Sequence, residues 1–105
     1  MNKIIEILRK FNIEREWEQF HTPDNLVKSL VIETTELLEL FQWQNTPKSE
    51  DLIKEELADV FLYALMIADH FNLNVEEIIL EKIKKNAAKY PVEKAKGKSK
   101  KYNEL

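Results

Sequence analysis

Two stretches of this chain carry an apolar stripe at helical spacing, and each stripe is interrupted by a pair of acids three residues apart. In residues 25–43, Leu26, Leu30, Leu37 and Leu40 fall on one stripe with Glu33 in its middle, and Glu36 borders it beside Ile32 and Trp43. In residues 51–71, Leu52, Val60, Tyr63 and Ile67 form the second, with Glu56 at its centre and Asp59 near its edge. A buried, unpaired carboxylate costs several kcal/mol, so any fold that packs these stripes together must bring a cation to four acids. The donors are hard oxygens without Cys or His, which selects Mg²⁺, with Mn²⁺ as a substitute, over Zn²⁺. A single Glu on a helix is usually a solvated residue, and Glu39, Glu50 and Glu55 are read that way. The repeated spacing in two separate apolar stripes sets Glu33, Glu36, Glu56 and Asp59 apart.

The pattern along the chain is helical throughout, giving an all-α class with four main helices. The first is expected from about Lys3 to Phe20, carrying Ile4, Ile5, Leu8, Phe11 and Ile13, with Trp17 and Phe20 extending its apolar side. Thr22-Pro23 opens the second, Thr as cap and Pro at the first helical position. Residues 45–49 form the next break, and Ser49 with Glu50 and Asp51 supplies a cap and an acidic first turn. Asn74, followed three residues later by Glu77, resembles a capping box for the fourth helix, which Pro91 stops near Tyr90. Residues 1–91 are read as one catalytic helical domain and residues 92–105 as a Lys-rich tail. That tail is either a solvated extension or an arm laid over a neighbouring subunit or a phosphate.

Size and charge narrow the function. A chain of 105 residues has a modest core, and residues 60–68 are apolar on every side, more than three other short helices can cover. A homo-oligomer is the economical solution. The net charge of −3 argues against a nucleic-acid partner, and no apolar run is long enough to cross a membrane. Without Cys there is no disulfide or thiol chemistry, and no signal peptide is apparent, so a cytoplasmic protein is expected.

Carboxylates paired on adjacent helices can hold one or two Mg²⁺ with positions open to water and phosphate oxygens. Basic groups must then meet the remaining phosphate charge, and Lys82, Asn86 and Lys89 share a helical face that can do so. Trp43 and Tyr63 lie near Glu36 and Asp59 in their own helices and could wall a pocket for a planar base. Phe20 is read as core, and His21 as either a functional or a capping residue at a helix junction.

The spacing Glu33-x-x-Glu36, then Glu56-x-x-Asp59, resembles the signature of the MazG-like all-α nucleoside triphosphate pyrophosphatases. Arg15-Glu16-Trp17-Glu18-Gln19-Phe20-His21, Phe41-Gln42-Trp43, Glu55-Glu56-Leu57-Ala58-Asp59-Val60 and Asn86-x-x-Lys89-Tyr90-Pro91 extend the likeness to the dCTP pyrophosphatase branch. The resemblance implies a MazG-like helical bundle in dimers or tetramers. It implies Mg²⁺ ligands at Glu33, Glu36, Glu56 and Asp59, which are then the catalytic residues. It places phosphate contacts at Lys82, Asn86 and Lys89, and base and sugar contacts at His21, Asn25, Trp43 and Tyr63. The implied reaction converts a (deoxy)nucleoside triphosphate, dCTP-like or modified, to monophosphate and pyrophosphate, cleaning the nucleotide pool. Thr34-Thr35 departs from the small residues common between the first acids of relatives. Di-iron carboxylate bundles need paired Glu-x-x-His motifs, and the single instance here, Glu18-x-x-His21, adjoins a helix break. A non-enzymatic helical oligomerisation module is the stronger rival, but it leaves Glu33 and Glu56 unexplained.

Overall fold

The structure, a computed structural model, describes residues 1–43 and 49–105; all of the expected break at residues 45–49 except Ser49 lies outside the described residues. The described residues are helical: α1 (Asn2–Glu14), a 3₁₀ turn (Glu18–Phe20), α2 (Pro23–Glu39), α3 (Glu50–His70), α4 (Val75–Lys89), a short α5 (Val92–Ala95) and a 3₁₀ turn at Tyr102–Glu104. No strand occurs among them. The three caps expected from sequence are made. Thr22 Oγ1 accepts from the Asn25 N–H at 3.4 Å, Ser49 Oγ from Leu52 at 3.4 Å and Asn74 Oδ1 from Glu77 at 3.0 Å, each occupying one of the otherwise orphaned donors of a helix N-terminus. Pro23 stands in the first turn of α2, where its missing N–H costs nothing.

The first helix is shorter than its pattern suggests, ending at Glu14 rather than running to Phe20. Glu16 adopts a left-handed conformation, φ 55°, and the Glu16 and Trp17 N–H groups donate to the carbonyls of Ile13 and Asn12 at 3.0 Å each. This is a Schellman closure, completed by the Trp17 ring meeting Phe11 edge to face at 5.6 Å between centroids. The same device ends α3, where Asn72 is left-handed at φ 53° and Leu73 N–H donates to Ala68 O at 2.9 Å. Asn tolerates that region better than Glu does. Glu16→Gly is therefore expected to stabilise the protein by about 1 kcal/mol and Asn72→Gly by clearly less. The hydrogen bonds of Glu16 are made by its backbone, the N–H to the Ile13 carbonyl and the carbonyl from the Gln19 amide, so its side chain is dispensable there. Urea denaturation of the two variants checks the order.

The chain divides into two compact units, Met1–Leu73 and Asn74–Leu105. In the first, α2 and α3 pack along most of their lengths and α1 rests on α3. Arg9 of α1 holds Asp69 of α3 in a two-pronged ion pair, Nε to Oδ2 at 2.8 Å and Nη2 to Oδ1, which keeps the Asp69 carboxyl below its usual range. Beside it, the buried Asn12 amide donates to Met66 Sδ at 3.3 Å. Ile5, Leu26, Leu65 and Ala68 are the buried apolar side chains among the described residues. Val31, Ile32 and Leu38 on α2 and Phe61 on α3 stand more than half exposed. The apolar run of α3 is thus incompletely covered within one chain. No helix of the described residues is long and apolar enough to cross a membrane.

The second unit holds α4, which ends before Pro91 as its sequence requires, with Tyr90 as its last cap residue. Beyond Pro91 the chain forms α5, turns at Gly97 with φ 78°, and reaches the 3₁₀ turn at Tyr102.

Candidate functional site

The acids at i, i+3 on α2 and α3 come together because the two helices run antiparallel, so that the middle of one faces the first half of the other. Glu33, Glu56 and Asp59 each offer a carboxylate oxygen within 4.8 Å of the other two. Glu36, one turn along α2, stands near enough to Glu33 and Glu56 to raise both of their carboxyls. All four expected ligands are therefore neighbours, three in one tight group and Glu36 at its side. Glu33 Oε2 and Glu56 Oε2 are buried without any hydrogen-bond partner.

Among the described residues no ion pair neutralises this cluster. Burial chiefly, then a hydrogen bond shared with Glu36 and the charges of Glu36, Asp59 and Glu56, pushes the Glu33 carboxyl from its ordinary 4.5 up to about 7. Glu56 is raised for the same reasons, burial first, then Glu36, with the charges of Asp59 and Glu55 adding to them. Orphaned carboxylate oxygens that repel one another across two rigid helices make a poor core and a good cage for a hard divalent cation. The donor set fits Mg²⁺ or Mn²⁺.

The residues expected around a base are spread along the α2–α3 seam. Tyr63 is half-buried, one turn past Asp59. His21 lines a cavity of about 210 Å³ together with Arg9, Asn12, Leu26, Met66 and Asp69. Leu26 precedes Glu33 by seven residues and Met66 follows Asp59 by seven, so this cavity lies two helical turns, about 10 Å, along the seam from the acids. Asn25 opens the same end of α2, where its side-chain amide donates to the Phe20 carbonyl at 3.0 Å and closes the 3₁₀ turn onto the helix. Trp43 lies past the opposite end of α2, 93% exposed and left-handed at φ 68°. A 17-residue helix, about 25 Å long, separates it from His21 within the chain. Lys82, Asn86 and Lys89 all stand exposed on α4 in the second unit.

The cavity was not legible in the sequence. Arg9 and Asp69 are 60 residues apart, and nothing local announces that they pair. The one available signal was Asp69 itself, an acid closing the apolar run of α3.

The sequence of residues 28–105 matches the model of the MazG-like family. Among curated proteins the chain is similar to dCTP pyrophosphatase 1 of Mus musculus, 37% identical over 91% of this chain and 62% of the relative. It is similar to dCTP pyrophosphatase 1 of Homo sapiens, 38% identical with the same coverage. The chain thus spans less than two thirds of the length of these relatives. Among solved structures, a pyrophosphatase from Archaeoglobus fulgidus superposes with a TM-score of 0.78 at 39% identity, over 87% of this chain and 92% of that one.

Proposed function

This chain belongs to the MazG-like family, and from that premise we propose that it hydrolyses a nucleoside triphosphate to the monophosphate and pyrophosphate in a Mg²⁺-dependent reaction. The observation that carries the reading is the pair of buried, partnerless carboxylate oxygens of Glu33 and Glu56 on facing helices, joined by Asp59 and Glu36. Those four residues would hold Mg²⁺, with Mn²⁺ as a substitute. When bound, the ion neutralises triphosphate charge and lowers the pKa of a coordinated water. Water attacks the α-phosphorus, a new P–O bond forms, the bond to the bridging α–β oxygen breaks, and pyrophosphate leaves with that oxygen.

The other residues bind and orient. Lys82 and Lys89 offset phosphate charge and Asn86 donates a hydrogen bond to a phosphate oxygen. His21, with the cavity it lines about two turns from the acids, receives the base, and Tyr63 walls the path between them. Asn25 and Trp43 complete the base and sugar side. The names of the relatives favour dCTP as substrate; the reading extends to dCTP-like or modified pyrimidine nucleotides, with cleaning of the cytoplasmic nucleotide pool as the proposed role.

The chain acts as a homo-oligomer, a dimer or a tetramer. Support comes from the exposed Val31, Ile32, Leu38 and Phe61 beside a core that, among the described residues, holds four buried apolar side chains. It also comes from the exposed Trp43, which a single chain leaves far from His21. Residues 1–91 carry the catalytic machinery and residues 92–105 form an appended Lys-rich segment.

Product analysis tests the reaction. With dCTP and Mg²⁺, the expected products are monophosphate and pyrophosphate. Diphosphate and orthophosphate as main products would make the chain a hydrolase of the terminal phosphate instead, and no turnover across common and modified triphosphates would return it to the reading of a helical oligomerisation module. Faster turnover of purine nucleotides would change the specificity alone.

A further inference from the structure

The Lys-rich segment after Pro91 has no place in the function so far, yet it is not featureless. Helix α5, the left-handed Gly97 and the closing 3₁₀ turn fold it so that Tyr102 returns to the end of α4, thirteen residues after Lys89. There the Tyr102 ring meets Tyr90 edge to face at 6.3 Å between centroids. The Lys89 ammonium lies over the same ring at 5.0 Å from its centroid. Lys94, Lys96, Lys98, Lys100 and Lys101 all lie on the returning segment, exposed and without a recorded acidic partner. Lys89 is the basic residue of the last turn of α4, the end to which Tyr102 returns.

We propose that Tyr102 is a positioning residue for Lys89: its ring holds the ammonium at the end of α4 in one orientation, so that the lysine is preset to meet substrate phosphate. The inference rests on the reading above in which Lys89 offsets phosphate charge. A free lysine must surrender much rotamer freedom when it meets an anion. An ammonium held over an aromatic face has surrendered part of it beforehand, and its charge stays unneutralised because the ring offers only a quadrupole. A carboxylate in the same place would orient the lysine and cancel it. Tyr90 supports the arrangement by fixing the ring from the side.

Steady-state kinetics on the full-length protein with Mg²⁺ and dCTP separate the outcomes. Tyr102 is half exposed, so its variants are expected to keep the helical circular dichroism of the parent. Tyr102→Phe keeps the ring and should behave as the parent. Tyr102→Leu keeps apolar bulk without the quadrupole and should raise KM about two- to fivefold, with kcat within about twofold. In a Lys89→Gln background Tyr102→Leu should add nothing. The positioning role is overturned if Lys89→Gln raises KM while Tyr102→Leu matches Tyr102→Phe, or if the losses of Lys89→Gln and Tyr102→Leu add in full. If Lys89→Gln leaves KM unchanged, the phosphate reading of Lys89 itself has failed, and the inference falls with it.

Discussion

Replacing Glu56 by Gln, or Asp59 by Asn, is expected to lower the rate of triphosphate hydrolysis by at least about a hundredfold, the scale on which lost charge stabilisation in a transition state is felt. Both changes are nearly isosteric, and neither side chain makes a recorded hydrogen bond that holds the fold together. The Glu56 Oε2 atom is buried and unpartnered already. What Glu56→Gln removes is one negative charge from a carboxyl that burial and neighbouring acids push toward protonation. In metal-free protein the variants should therefore melt at the same temperature as the parent or above it, since repulsion among Glu33, Glu36, Glu56 and Asp59 is relieved. Loss of activity combined with unchanged or improved apo stability distinguishes a ligand from a structural acid. Activity within about twofold of the parent would remove the metal-site reading.

The parts of the fold that were legible in the sequence are those whose cause is local. Thr22, Ser49 and Asn74 accept N–H groups only three residues away, so the cap and the helix start it marks can be read from a short window. The acid pairs were legible for a related reason: a carboxylate inside an apolar stripe contradicts its surroundings wherever the helix packs. The end of α1 was not legible. Arg15-Glu16-Trp17 contains no Gly or Pro, and the left-handed turn at Glu16 is sustained by the Trp17 ring meeting Phe11 and by two carbonyls that α1 leaves open. The cavity lined by His21 is also lined by Arg9 and Asp69, whose pairing is made only once α1 has packed on α3. Trp43 shows the limit of spacing arguments. It lies near Glu36 in sequence, but its distance from His21 is set by the rigid length of α2.

The acid cluster should also make the stability of metal-free protein depend on pH in a direction opposite to that of an ordinary salt-bridged carboxylate. Glu33 titrates at about 7 in the folded chain and at its ordinary 4.5 when unfolded, so between these values the unfolded chain releases a proton that the folded chain keeps. Stability is then fully present below about pH 4.5, falls as pH rises toward 7, and levels off above it. Glu56 shifts in the same direction and deepens the fall. Asp69, held low by Arg9, acts the other way, but its contribution is lost only on acidification through and below its ordinary 3.8. Thermal melts from pH 5 to 7.5 therefore isolate the cluster, and Glu33→Gln should flatten the slope. Mg²⁺ reverses it, because a cation competes with protons for the same oxygens and binds best where they are ionised. At a hundredfold excess over its dissociation constant the ion contributes about 2.7 kcal/mol, a rise of roughly 10–20 °C in Tm for a domain of this size at constant protein concentration. That rise should shrink as the pH drops toward 5. A melting temperature indifferent to pH in this window without metal, or to millimolar Mg²⁺ and Mn²⁺ at pH 7.5, would show that Glu33 and Glu56 do not share a preorganised cation site.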